Sequence, residues 1–129
     1  MPVYDTAAAA EALGMPPKQL DNILSRHTLR GVDRPRRGVG RRIGTDVVVI
    51  VFLAVEFVRA ARVPIAVALE LARTSLVSGG KAELGEFATI TVDVAEVRGS
   101  VAARLDAAVE LVGRRRRGRR GTNRIGQSG

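Results

Sequence analysis

The chain has 129 residues, with 21 Lys+Arg against 13 Asp+Glu and a net charge of +8 at pH 7, which confines it to one modest domain with a basic surface. Apolar residues make up 46% and aromatic residues only 3%, so a core can form but must be built from Val, Leu, Ile and Ala. With Cys 0, disulfides, thiolate metal sites, cysteine-based metal sensing and a cysteine nucleophile are excluded, and a cytosolic, cytoplasmic location is the expectation.

No apolar stretch precedes Glu11, which is unlike a secretory signal, so no export is expected. Asp5-Thr6 forms an N-cap pair before Ala7 to Leu13, a run of strong helix formers closed by Gly14. Pro17 suits the first position of a second helix, in which Leu20, Ile23 and Leu24 share one face through to about Arg26. Lys18, Gln19, Asn22, Ser25 and Arg26 are left on the opposite face. Two short helices across a glycine turn predict a helix-turn-helix, whose second helix enters the major groove and offers polar side chains to base edges. From Leu29 to Ile43 three glycines, a proline and no helical period predict a wing, as a small hairpin or extended loop.

Thr45-Asp46 is expected to cap the element from Val47 to Arg62. Five β-branched residues in a row, Val47 to Val51, favour a strand by propensity. The preceding cap and the length of the pattern, which continues to Ala60, favour a buried helix instead. Its most apolar part, Val47 to Val55, falls short of the roughly 18 to 20 residues a membrane span needs, so no membrane partner is expected. Pro64 starts another helix, with Ile65, Leu69 and Ala72 on one side. Ser78-Gly79-Gly80 is a break, and Phe87 to Val92 alternates as one short strand. Asp93 caps a final helix whose stripe is Val94, Val97, Val101, Leu105, Ala108, Val109 and Val112. That stripe either covers the core or pairs with its copy in a second chain. After Gly113 the composition collapses to Arg and Gly and predicts disorder.

The expected architecture is therefore mainly α. A winged helix-turn-helix domain spans residues 1–76, a strand plus helix that could serve dimerisation spans 77–112, and an Arg-rich disordered tail spans 113–129.

All but Lys18 and Lys81 of the 21 basic residues are arginine, and they are clustered. One group is Arg26, Arg30, Arg34, Arg36, Arg37, Arg41 and Arg42, offset locally only by Asp33. The other is Arg114, Arg115, Arg116, Arg117, Arg119, Arg120 and Arg124, with no acidic residue in the same segment. Neither reads as a self-neutralising helix surface, and both suit a polyanion.

Thr6 to Leu20 resembles the first helix, the tight turn and the start of the recognition helix of MerR-type winged helix-turn-helix regulators. Arg41-Arg42-Ile43-Gly44-Thr45-Asp46-Val47 is similar to that family's passage out of the wing, and Ala61-Arg62-Val63-Pro64-Ile65 to the break between its last two helices. Ile43 stands where the family usually has an aromatic residue, and Asp21-Asn22-Ile23 replaces its common arginine-tyrosine pair. The resemblance stops near Ala72, before any large ligand-binding domain, so it implies a compact or excisionase-like member.

The expected function is sequence-selective binding of double-stranded DNA in transcription regulation. Lys18, Gln19, Asn22, Ser25 and Arg26 would read bases, with amides suited to adenine and the cations to guanine. Arg30, Arg34, Arg36, Arg37, Arg41 and Arg42 would contact backbone or minor groove, and Arg114, Arg115, Arg116, Arg117, Arg119 and Arg120 would form a non-specific arm. Asp21 should face away from phosphate. A homodimer is expected, because one short recognition helix reads only a few base pairs. No cofactor, metal or catalytic constellation can be named, and His27, the single histidine, fits a helix C-terminus better than chemistry. Two other readings use the same features: a non-specific coat on nucleic acid, and an antitoxin-like adaptor that grips a protein partner through residues 87–112.

Overall fold

The computed structural model describes residues 2–32 and 41–128, with side chains through Arg117. In chain order the elements are β1 (Val3–Asp5), α1 (Thr6–Leu13), α2 (Pro17–Arg26), β2 (Arg42–Gly44), α3 (Thr45–Ala61), α4 (Ile65–Val77), β3 (Lys81–Leu84), β4 (Ala88–Thr91) and α5 (Val94–Ser128). The fold is mainly helical, with two small antiparallel strand pairs among the described residues.

Local chemistry sets most helix ends. The Asp5 carboxylate accepts a hydrogen bond from the Ala8 N–H at 2.8 Å and caps α1. Gly14 ends it in the left-handed region at φ 70°, which a side chain would oppose, and its N–H bonds back to Ala10 and Glu11. Pro17 opens α2, and Met15 N–H bonds to Ala10 carbonyl across the turn. Asp93 caps α5 by accepting from Glu96 N–H at 3.1 Å. The cap of α3 differs from expectation: Gly44 occupies it without a side-chain bond, and Thr45 is already helical.

α3 runs through the centre. Val47, Val48, Val49, Val51, Leu53, Ala54 and Phe57 are all buried, so the β-branched run is helical because packing on several sides outweighs its modest strand propensity. α4 lies against α3, and the buried Ser75 hydroxyl donates to the Leu71 carbonyl at 2.8 Å rather than remaining unsatisfied. α5 covers α1 and α3 through Val101, Leu105 and Ala108, so the core-covering use of its stripe is the one observed. Arg98 reinforces that packing with a 2.7 Å ion pair to Asp46, and Arg104 lies over the Phe52 ring. Val109 and Leu111 stay exposed.

Two expectations need correction, and one strand pair had no counterpart among them. The single strand at residues 87–92 is half of a hairpin, in which Lys81 pairs Thr91 and Leu84 pairs Ala88. Its partner β3 alternates polar and apolar residues as Lys-Ala-Glu-Leu but is only four residues long, and Gly80 places its backbone against Val92, where a Cβ would collide with the Val92 carbonyl oxygen. The second strand pair, β1 with β2, joins residues far apart in sequence, with Tyr4 opposite Ile43 and Asp5 opposite Arg42. Finally, α5 does not stop near residue 112: its backbone is helical through Ser128, where disorder is expected from composition. Arginine is nearly as good a helix former as alanine, and extending an existing helix needs no new nucleus, so isolated glycines at about 1 kcal/mol each do not end it.

Candidate nucleic-acid interface

Leu20 and Leu24 sink into the core at 1% and 8% exposure and fix the rotation of α2. The helical period then places Lys18, Gln19, Asn22, Ser25 and Arg26 on the outer side, and all five are exposed. This is the face expected from sequence, brought together as one stripe. His27 is the C-cap residue of α2.

The segment expected to form a wing is described only at its two ends, residues 29–32 and 41–43. Val32 bridges Ile43, and Gly44 N–H bonds to Gly31 carbonyl at 2.8 Å, so the chain that leaves α2 returns antiparallel to itself and then pairs with β1. Ile43 is fully buried here. Arg30 and Arg42 are exposed on either side of it. Arg34, Arg36 and Arg37 lie outside the described residues.

Arg41, expected at DNA backbone or minor groove, has partners within the protein. Its guanidinium sits 3.5 Å from the Asp21 carboxylate and donates to the Ser25 hydroxyl at 3.3 Å and the Asp21 carbonyl at 3.4 Å. The side chain is only 11% exposed, which leaves it as a brace between the start of β2 and α2. Its buried Nε has no partner. Asp21 is therefore the brace's carboxylate anchor, and Ser25 keeps its own hydroxyl proton to donate.

The arginines after Gly113 are also more occupied than their sequence suggests. Arg114 pairs with Glu110, Arg115 with Glu11 at 3.2 Å, and Arg116 with Asp5 at 2.9 Å. Asp5 thus uses one oxygen to cap α1 and the other to hold α5. Arg117 is exposed, and the side chains of Arg119 and Arg120 lie outside the described ones. Glu11 and Asp5 stand 104 and 111 positions away from their partners, so no local pattern could have revealed the pairing.

A further feature went unread in the sequence. Beside the polar stripe of α2 runs a groove of about 350 Å³, closed on its far side by Val55 and Val58 of α3 and Ile65 of α4. Its residues come from three helices, so only the packing assembles it. Among the described residues there is no group of His, Cys, Asp or Glu able to hold a metal ion, and no helix long and apolar enough to cross a membrane.

Fold and site together define a mainly helical protein that presents a polar helix face beside a basic strand-paired root. Comparison with protein-family models, curated proteins and solved structures finds no match.

Proposed function

We propose that this chain binds double-stranded DNA sequence-selectively, as a compact transcriptional regulator of the MerR-like winged helix-turn-helix type. The observation that carries the reading is the outer stripe of α2: Lys18, Gln19, Asn22, Ser25 and Arg26 are exposed together on a helix whose other side is locked by Leu20 and Leu24. Such a stripe matches what the major groove requires, bidentate amides for adenine and cationic forks for guanine, on a rigid element. The α1–turn–α2 unit supports it, as does the antiparallel root at Val32 and Ile43, which is the stalk a wing would need. Arg30 and Arg42 would meet phosphates beside the helix, and Arg34, Arg36 and Arg37 lie between them in sequence. The end of α5 would act as a non-specific arm after exchanging its carboxylate partners for phosphates. Two copies would bind one operator, with half-sites about one helical turn apart.

The test is recovery of genomic fragments by the purified protein at physiological salt. A few recurring sites are the expected result. Uniform recovery would replace this reading with non-specific coating, and no retention would remove nucleic acid from the account.

A further inference from the structure

The groove between α2 and the α3–α4 junction has two unlike walls. Val55, Val58 and Ile65 make the far wall apolar, joined by Ile23 from α2, and of these four Ile23, Val55 and Ile65 pack partly buried against the core. The other side carries the Gln19 and Asn22 amides, the Arg26 guanidinium and the His27 imidazole, and no carboxylate lines the groove. α4 begins at Ile65 behind Pro64 with no side-chain cap, so its positive dipole end lies at the rim. The volume of about 350 Å³ falls in the range of small-molecule sites, roughly 300 to 1,000 Å³.

We propose that this groove is a binding site for a small amphipathic carboxylate, and that occupation of it competes with base readout. The first half stands on the groove alone, and the second rests on the DNA-binding reading. A carboxylate matches the planar two-donor fork of Arg26, with the neighbouring amides left to orient it. A hydrocarbon body covers the Val and Ile wall, which an inorganic anion would leave in water. A cationic amphiphile would meet Arg26 and the dipole end with the wrong sign. Gln19, Asn22 and Arg26 belong to both the groove and the base-reading stripe, so ligand and base edge cannot hold them at once.

Octanoate, titrated into the full chain and followed by methyl NMR, is the probe. Shifts should concentrate at Ile23, Val55, Val58 and Ile65, and octylammonium or inorganic phosphate at equal concentration should not produce them. Arg26→Gln should lower octanoate affinity about tenfold or more, the size of one lost charge-assisted bond. Val58→Asp, at an exposed position and checked for folding by circular dichroism, should abolish binding by placing a like charge in the groove. No binding to the unaltered chain, or binding that both substitutions leave intact, overturns the site. On a duplex recovered from the genomic selection, octanoate at about 10 times its own Kd should raise the apparent DNA Kd about elevenfold, as simple competition requires. Octanoate seated in the groove without any change in DNA affinity overturns the competition. A chain that binds octanoate there but no duplex fails the DNA reading and leaves the ligand site standing.

Discussion

The outer face of α2 and the basic end of α5 differ in what their polar groups already touch. On α2, Lys18, Gln19, Asn22 and Arg26 are exposed and free of partners among the described residues, and only Ser25 is engaged, by Arg41. On α5, Arg114, Arg115 and Arg116 each hold a carboxylate. Net charge counts both regions alike, but a polyanion does not. An arginine already paired must give up one anion to gain another, so its net contribution to DNA affinity is smaller than that of an unpaired one. The two regions therefore differ in structure: the polar groups of α2 stand open, which the proposed DNA contact would use, and the end of α5 ties the last helix to the first.

The largest expected effect breaks the tie from within. Leu105→Ala, at a fully buried position on the side of α5 that meets α1 and α3, should cost about 2 to 5 kcal/mol in denaturant unfolding. A loss below about 1 kcal/mol would mean that α5 is not packed as described. Next comes the contact face: Asn22→Ala should cost about 1 to 3 kcal/mol on a selected operator and little on random duplex, measured by fluorescence anisotropy. Equal losses on both duplexes would remove base readout from α2.

A smaller effect separates the two duties of Asp5. Asp5→Ala loses the α1 cap and should destabilise by about 0.5 to 2 kcal/mol, whereas Asp5→Asn keeps a capping oxygen and should stay within about 1 kcal/mol of the parent. The Asn variant frees Arg116, so the slope of log affinity against log salt on random duplex should steepen by up to about 0.9, the value of one added phosphate contact. An unchanged slope would show that Arg116 stays away from DNA even when released. Smallest in stability is the brace. Arg41→Ala removes an ion pair whose Asp21 end is 55% exposed, and thermal unfolding should register under about 1 kcal/mol. Its larger consequence should fall on operator affinity, because α2 and the start of β2 lose their link. If Arg41→Ala instead weakens all duplexes alike with no change in preference, Arg41 is a phosphate contact after all.

The helices with strong local signals and the face of α2 follow from neighbouring residues alone. Asp5, Gly14, Pro17 and Asp93 mark ends that depend only on neighbouring backbone groups, and the spacing of Leu20 and Leu24 dictates which side chains of α2 remain outside. Even the helical state of Val47 to Val51 was legible, because the length of the apolar pattern outweighs a propensity worth little per residue. The pairing of β1 with β2, the seats of Arg115 and Arg116, the bracing role of Arg41 and the groove beside α2 arise instead from packing across the fold. Each of these joins residues distant in sequence, and contacts of that kind leave no periodic trace in the chain. Which cation meets which anion, and which apolar face is left open, depends on how the helices pack, and that is set by the buried core as a whole rather than by any local stretch of residues.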